Sequence, residues 1–425
     1  MQMLSKEITR DVHCQRVFKD APHTSRDDTR LKEFSISVFW NCSPSLYVIS
    51  RKSQVVGERS VITCTMGCCS SKRNQADWMN SLGDEMRNRL PLWKLALPGS
   101  HDSGTFQLNR CCGIAADCDV KVRIGLDLLS AITCCVSSCF IHKWGQCQAL
   151  NFYQQLKAGV RYFDMRVEKG TCCGRESYNC VHTLRGASVR KCMEDVKEFL
   201  LKHEGEVVLL DFNRFFGMES DEDHINLVAM LEKVFFDRDK DRSMLYRYSP
   251  KNSPQDLTLN KLCQDGTRVI VFYYDADHPN KTLRPAERSQ LLPGSTIKSQ
   301  ASWANTMCVE SWQKKQNNQS DARHNADKFY VCQGVLTPGT KVVLKNACNT
   351  LCCCGLKGTI KTECADKINP SLMRWMKDDV QNSETKRGVI FSADFVSEEY
   401  CEVDEHVAKS FAQSVIELNQ FVKVN

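Results

Sequence analysis

The feature that most constrains the fold is an alternation of short apolar segments with amphipathic helical segments, which begins at Trp78 and continues through the last predicted helix. Apolar, β-branched segments of this length predict buried strands. The predicted strands are Leu92–Leu97, Tyr162–Val167, Cys180–Thr183, Glu206–Phe212, Arg268–Tyr274, Phe329–Leu336 and Gly388–Phe395, with a weaker one at Ile297–Trp303. The predicted helices are Gln75–Leu90, Phe152–Ala158, Val189–Leu200, Asp223–Phe236 and Val407–Val422. We therefore predict an α/β fold of the TIM-type (β/α) barrel, and leave open whether its closure is irregular or incomplete.

Composition limits the partners of this chain. Among its 425 residues, 42% are hydrophobic and 25% are charged, as in soluble globular proteins. The formal charge of +6 fits an anionic membrane surface or a phosphate-bearing substrate, and its even spread argues against nucleic acid. The longest uncharged apolar stretch, Leu128–Ile141, is shorter than the roughly 18 residues that indicate a membrane span.

The cysteine content indicates a reducing compartment. Residues Met1–Glu7 lack the apolar core of a secretory signal, so the 25 cysteines are interpreted as free thiols. The chain has no Cys-x-x-Cys pair, which argues against a zinc site. We predict a cytoplasmic protein that associates peripherally with the inner face of a membrane.

The amino-terminal part is predicted to differ from the rest. Residues 1–65 lack regular patterning and are interpreted as a disordered leader or an over-extended start. Residues 66–77 form a candidate lipidation segment, because Met66-Gly67-Cys68-Cys69-Ser70-Ser71 matches the N-myristoylation pattern with two adjacent palmitoylation candidates, Cys68 and Cys69. Myristoylation requires Gly67 at a free amino terminus, so a chance match remains the alternative. Residues 78–425 are predicted to form the barrel domain.

Polar side chains at several predicted strand ends point to acid–base chemistry on a phosphate. His101 follows the first strand, Asp164 and Arg166 lie in the second, and His182 ends a short strand. One neutral imidazole can remove a proton from a hydroxyl next to a phosphodiester, while a protonated imidazole delivers a proton to the leaving alcohol. A guanidinium neutralises charge on the phosphoryl oxygens. This set predicts phosphodiester cleavage.

The same residues lie in motifs that resemble the phosphatidylinositol-specific phospholipase C X-domain-containing proteins, which are related to bacterial phosphatidylinositol phospholipases. The resemblance extends from Trp78 to Asn419. The matching segments are Leu97–Phe106, Lys143–Trp144, Leu156–Val167, Val181–His182, Val207–Phe215, Ser302–Thr306 and Ser392–Phe395. It implies cleavage of phosphatidylinositol to diacylglycerol and an inositol phosphate, in cyclic form or further hydrolysed.

The resemblance also implies a role for each matched position. His101 is expected to be the general base on the inositol 2-hydroxyl and His182 the general acid for the leaving group. Asp102 is expected to orient the 2-hydroxyl and the arginine, and Asp394 to pair with His101. Arg166 is expected to contact the phosphate, and Asp164 to hold the inositol and Arg166.

Two departures from family patterns affect these expectations. Animal signalling phospholipases C place a calcium-binding acid where Arg166 stands, so no calcium or other cofactor is expected here. Bacterial enzymes carry an arginine near the strand that ends here in Tyr273-Tyr274, so Tyr274 is a candidate substrate-binding residue and the head-group specificity stays open. Asn213, another polar strand end, is assigned a substrate-binding role as well.

Alternative interpretations remain for the protein and for one of its segments. A catalytically weak or inactive phosphoinositide-binding or scaffold protein could use the same barrel, since fold does not fix function. A metal-dependent glycerophosphodiesterase or sphingomyelinase-type enzyme is disfavoured because Arg166 adds a cation near the first histidine. Leu128–Ile141 is either a packed helix or an interfacial segment with Cys134, Cys135 and Cys139 as acylation candidates.

Overall fold

The computed structural model describes most of the predicted barrel domain. The described residues are 74–110, 114–118, 134–172, 175–249, 251, 256–274, 285, 288–291, 298–300, 303–324, 327–352, 358–401 and 408–424. All of them belong to one compact unit, residues 71–425. The lipidation candidates Gly67, Cys68 and Cys69 lie outside the described residues, and so does the first part of the Leu128–Ile141 segment.

A sheet of seven parallel strands forms the centre of the molecule, and a hairpin extends it. The strands are β1 (Leu97–Ser100), β2 (Tyr162–Cys172), β3 (Arg175–His182), β4 (Leu184–Ser188), β5 (Val208–Phe216), β6 (Phe236–Asp237), β7 (Arg242–Ser243), β8 (Val269–Tyr273), β9 (Lys298–Gln300), β10 (Phe329–Gly334), β11 (Ile390–Ala393), β12 (Glu399–Cys401) and β13 (Ala408–Ser410). The parallel strands have the order β9–β10–β11–β1–β2–β5–β8. Among the described residues, β8 and β9 are not paired, so the ring of strands remains open there, as the sequence prediction allowed.

Both faces of the sheet are apolar, which explains why its strands have continuous apolar sequences. Tyr162 and Leu209 pack into one buried cluster, and their neighbours Phe163 and Leu210 pack into another on the opposite face. Successive side chains of a strand point to opposite faces, so each strand contributes to both clusters.

Helices connect the strands and cover the larger cluster. They are α1 (Asp84–Arg89), α2 (Cys134–Gly145), α3 (Phe152–Lys157), α4 (Val189–Lys202), α5 (Asp221–Val234), α6 (Leu259–Asp265), α7 (Val309–Asn317), α8 (Ser320–His324), α9 (Thr340–Cys352), α10 (Asp366–Asn382) and α11 (Phe411–Glu417). Helix α4 buries one apolar face, which is formed by Val189, Cys192, Met193, Val196, Phe199 and Leu200. None of the helices within the described ranges is both long enough and apolar enough to cross a bilayer.

Two predictions near the first strand are wrong. The predicted helix Gln75–Leu90 is a 3-10 turn at Gln75–Asp77 followed by α1, which begins after Gly83. The predicted strand Leu92–Leu97 is a 3-10 turn at Leu92–Lys94, and β1 begins only at Leu97. Pro91 precedes that turn. Its φ of −59° suits the start of a helix, and its lack of a backbone N–H removes a hydrogen-bond donor that a strand would use.

The strand that carries His182 also differs from the prediction, because it is not one of the parallel strands. β2 is 11 residues long and continues beyond the parallel part of the sheet. β3 pairs with this extension in antiparallel orientation. The register of β2 against β5 shifts between Met165 and Arg166, and such a bulge re-aims the side chains that follow it. His182 therefore approaches the site from a hairpin above the sheet edge.

A fully buried ion pair lies where β2 and β5 begin. Nε and Nη2 of Arg161 donate to one carboxylate oxygen of Glu206 at 2.9 and 2.7 Å, and Nη1 donates to the carbonyls of Leu156 and Val160. Glu206 in turn accepts from the backbone N–H groups of Met79 and Asn80. These contacts attach the segment before α1 to the amino-terminal end of the sheet.

Candidate active site

The predicted catalytic residues meet at the carboxyl-terminal edge of the sheet. His101 and Asp102 follow β1 directly, Asp394 follows β11, and Arg166 lies in β2. β1 pairs with both β2 and β11, so these four residues come from neighbouring strands. Loops at this end of a parallel barrel converge on one mouth. The hairpin strand β3 adds His182.

His101 is held by a carboxylate through its Nδ1 atom. Nδ1 lies 2.9 Å from Oδ1 of Asp394, an arrangement that fixes the Nδ1–H tautomer and leaves Nε2 facing the site. Asn369 donates to the carbonyl of Asp394 at 2.9 Å. Gln148 donates from one amide nitrogen to the carbonyls of His101 and Ala393, both at 2.9 Å, and so links the ends of β1 and β11.

Asp102 is the central charged group of the site. One carboxylate oxygen lies 2.7 Å from Nε of Arg166, and the other lies 3.3 Å from Nε2 of His101 and 3.6 Å from Nε2 of His182. Burial alone would raise the pKa of Asp102, but the Arg166 guanidinium and the two imidazoles hold it below its ordinary range. Its backbone has a φ of +42°, a left-handed conformation that aspartate tolerates.

The two carboxylates raise the pKa of His101. Burial of the ring works in the opposite direction, but the negative charges of Asp102 and Asp394 outweigh it and raise the pKa of His101 to about 9. Arg166 remains a permanent cation, because its pKa is raised further by Asp102 and Asp164 against the effect of burial. The site therefore contains two cationic side chains, His101 and Arg166, close to the carboxylates of Asp102 and Asp394.

Nδ1 of His182 is held by a backbone carbonyl, whereas Nδ1 of His101 is held by a carboxylate. Nδ1 of His182 lies 2.8 Å from the carbonyl oxygen of Gly145 and donates to it, which leaves Nε2 facing Asp102. The next residue, Thr183, has a φ of +63°, which is unusual for a β-branched side chain. Its N–H donates to both carboxylate oxygens of Asp117, at 2.9 and 3.0 Å. This strained turn after β3 sets the position of the ring.

The predicted substrate-binding residues lie close to the charged centre. Nδ2 of Asn213 donates to Oδ1 of Asp164 at 2.6 Å. Ligand atoms of Asp164, His101 and Asp102 lie within 4.8 Å of one another. Tyr274 is buried, and its pKa is raised by burial and by the negative charges of Asp211 and Asp164. Asp164, Asn213 and Tyr274 are not among the described residues that line the pocket beside the histidines.

The pocket beside the two histidines has a volume of about 440 Å³. Its described lining residues are His101, Phe140, Ile141, Trp144, Cys147, Arg166, His182, Thr183, Arg214, Trp303, Gln333, Val335, Leu336, Thr337, Pro338, Val343, Ile360 and Asp394. Phe140 and Ile141, at the end of the Leu128–Ile141 segment, are buried in α2 and favour the packed-helix interpretation for that end. Trp303 is 54% exposed, and its indole N–H donates to Thr337.

Several residues of the site were not identified from the sequence. Asp117, Gln148 and Cys147 occur in segments without a recognisable motif, and only tertiary contacts reveal them. Arg214 follows Asn213 in β5 and could have been noticed as a second cation at a strand end. Cys147 is fully buried, with its Sγ 3.5 Å from Nδ1 of His182 and 4.0 Å from Oδ2 of Asp102.

Three sets of described side chains could supply metal ligands, and all lie in this site. They are His101 with Cys147 and Asp394, Asp102 with Cys147 and His182, and His101 with Asp102 and Asp164. The guanidinium of Arg166 lies against Asp102, so a positive charge already stands beside the last two sets. Mixed nitrogen, sulfur and oxygen donors are typical of zinc rather than of calcium, which prefers oxygen.

Comparisons with known proteins identify related chains. The chain is 31% identical over 353 residues to PI-PLC X domain-containing protein 3 of Danio rerio, covering 83% of this chain and 95% of that protein. It is 30% identical over 322 residues to PI-PLC X domain-containing protein 3 of Homo sapiens, covering 76% of this chain and 89% of that protein. No family model matches the chain.

A solved structure of a phosphatidylinositol-specific phospholipase C from Staphylococcus aureus has a similar fold. It aligns with a TM-score of 0.51 at 15% identity, covering 83% of this chain and 98% of that one. This likeness confirms the predicted barrel-type fold. The identity to PI-PLC X domain-containing protein 3 over most of that protein's length shows that the chain belongs to the family of PI-PLC X domain-containing proteins.

Proposed function

We propose that this protein is a phosphodiesterase that cleaves phosphatidylinositol to diacylglycerol and an inositol cyclic phosphate. The observation that carries the proposal is the arrangement of two imidazoles about one carboxylate oxygen. Nε2 of His101 and Nε2 of His182 face Oδ2 of Asp102 at 3.3 and 3.6 Å. Two groups that accept and donate protons can therefore act on a single phosphodiester bound in front of Asp102.

His101 would act as the general base. Its Nδ1–H is held by Asp394, so only Nε2 can accept the proton of the inositol 2-hydroxyl. The freed oxygen would attack the phosphorus of the same molecule, which needs no second reactant. Because the pKa of His101 is about 9, the neutral ring is a minor species at pH 7. The rate should then increase with pH as that fraction grows.

Arg166 would stabilise the charge that develops on the phosphoryl oxygens. Its Nε forms an ion pair with Asp102, and one Nη lies 3.4 Å from Nε2 of His101. The guanidinium therefore lies beside the proposed base. A fixed cation at this position does the electrostatic work that a metal ion does elsewhere. We therefore propose that calcium is not required.

His182 would act as the general acid. With Nδ1–H bonded to Gly145, its protonated form carries the transferable proton on Nε2. As the bond between phosphorus and the glycerol oxygen breaks, that proton would pass to the departing diacylglycerol. The cyclic phosphate keeps the new bond to the 2-oxygen. Hydrolysis of this product would need the two histidines to exchange roles.

We also propose a peripheral association with the cytoplasmic face of an anionic membrane. Trp303 is an exposed indole at the pocket, and indoles favour the membrane interface. The nine cysteines whose side chains the structure describes are all free thiols, as in a reducing compartment. The formal charge of +6 adds a weak attraction to anionic lipid.

Release of soluble inositol phosphate from vesicles tests the proposal. Wild-type protein is incubated with vesicles of phosphatidylinositol and phosphatidylcholine, and the aqueous phase is analysed for cyclic and acyclic products. His101→Ala and His182→Ala should each remove the activity. His203→Ala is the matched control, since it removes a histidine that pairs with Asp77 elsewhere. A folded wild-type protein that binds these vesicles without releasing product would refute the enzyme and favour the scaffold alternative.

A further inference from the structure

The thiol of Cys147 lies between the two histidines of the site. Its Sγ is 3.5 Å from Nδ1 of His182 and lies within 4.8 Å of ligand atoms of both His101 and Asp394. The backbone N–H of Cys147 donates to Oγ1 of Thr105, which fixes the loop after α2 against the end of β1. The residue also lines the pocket.

These side chains offer the donor set that Zn²⁺ prefers. A thiolate, an imidazole and a carboxylate supply three ligands, and a water molecule can take the fourth position of a tetrahedral site. Zinc bonds of 2.0–2.3 Å in that geometry place neighbouring ligand atoms roughly 3.3–3.8 Å apart. Ligand atoms of Cys147, His101 and Asp394 lie within 4.8 Å of one another, and the 2.9 Å between His101 and Asp394 needs an opening of a few tenths of an ångström.

We propose that Cys147, His101 and Asp394 bind one Zn²⁺ ion and that this ion inhibits the protein. Binding breaks the S–H bond of Cys147 and the Nδ1–H bond of His101, releases both protons to solvent and forms zinc–sulfur and zinc–nitrogen bonds, with no change of oxidation state. The thiolate and the Asp394 carboxylate balance the two positive charges of the ion. Asp102 stays paired with Arg166, whose charge disfavours a metal on the Nε2 side of the rings.

The position of the ion explains the inhibition. Zinc bound at Nδ1 of His101 would displace the hydrogen bond that this atom makes with Asp394. The ring of His101 would then keep its remaining proton on Nε2 and could not accept a proton there. The inhibitory effect rests on the proposed function, whereas the binding of the metal does not.

Spectroscopy with cobalt tests the binding separately from activity. Full-length protein in a phosphine reductant is titrated with Co²⁺, which gives a thiolate-to-cobalt charge-transfer band and tetrahedral d–d bands in a site of this kind. Displacement by Zn²⁺ in competition with a chromophoric chelator then measures the zinc affinity. We expect Cys147→Ser to remove these bands and to weaken zinc binding by roughly 100-fold or more, since even outer-shell partners are worth 10–100-fold.

Cys308→Ser is the matched control, because Cys308 is an exposed thiol beside the Glu310 carboxylate and is the more accessible candidate. It should retain both the bands and the affinity. Asp394→Asn should weaken zinc binding as well, which covers the case that Cys147→Ser does not fold. Bands of unchanged intensity in folded Cys147→Ser, or an unchanged zinc affinity in folded Asp394→Asn, would overturn the proposal. Absence of phosphodiesterase activity in the wild type would refute the proposed function and leave the cobalt result decisive for the metal.

Discussion

The most direct test of the electrostatics is the substitution Asp394→Asn. Asp394 is one of two carboxylates that raise the pKa of His101 from its ordinary 6.5 to about 9. Asparagine can still accept a hydrogen bond from Nδ1–H, so the ring should keep its orientation while the negative charge is lost. We expect the pKa of His101 to fall from about 9 toward its ordinary value.

The free energy involved follows from that shift. A raised pKa means that the folded protein binds the histidine proton more tightly than the unfolded chain does, by about 3 kcal/mol at the 1.36 kcal/mol that one pKa unit represents. This contribution to stability is fully present below pH 6.5 and is lost as the pH increases through 9. The wild-type free energy of unfolding should decrease across this window more than that of Asp394→Asn.

Nuclear magnetic resonance of labelled histidines measures the titration itself. The chain has 10 histidines, and the His101 signal is assigned by its loss in His101→Gln. A chelator in the buffer keeps metal ions from the ring. The lower limb of the pH profile of kcat/KM should move to lower pH in step with the midpoint, because the base must be neutral to act.

The control variant for this prediction is Asp77→Asn. It removes the carboxylate that pairs with another histidine, His203, and should leave the titration midpoint of His101 unchanged. A wild-type midpoint near 6.5, or a midpoint in Asp394→Asn equal to that of the wild type, would refute the argument.

Further predictions concern the cation, the membrane and the buried ion pair. Arg166→Lys should lower kcat about 10²–10³-fold, the range measured when one transition-state donor is removed. The activity of the wild-type protein should persist in a calcium chelator. Activity that the chelator removes and added calcium restores would contradict the proposed role of Arg166. Trp303→Ala should weaken sedimentation with phosphatidylinositol vesicles while leaving the unfolding midpoint unchanged. Arg161→Ala should reduce the free energy of unfolding in urea by about 3–5 kcal/mol, because it leaves Glu206 buried without its partner. The exposed pair of Lys202 with Glu198 provides the control, since Lys202→Ala should leave the free energy of unfolding nearly unchanged.

Much of the fold was predictable because its strands are buried on both faces. The segment Glu206–Phe212 reads as a continuous apolar run, and the structure has β5 there, extended to Phe216. Local patterning was misleading where apolar residues are buried outside a strand. Leu92 and Trp93 are both buried, yet they form a turn after Pro91.

The sequence by itself determined which residues could perform the chemistry and that parallel strands would bring most of them to one edge. Periodicity depends on short-range contacts with the two faces of the sheet, so it can be recognised from the chain alone. Only the tertiary structure decided that His182 arrives on an antiparallel hairpin and that Asp102 lies between both imidazoles. It also placed Cys147 beside His182, 35 residues away. Such contacts depend on how distant segments fold together, and no local pattern encodes them.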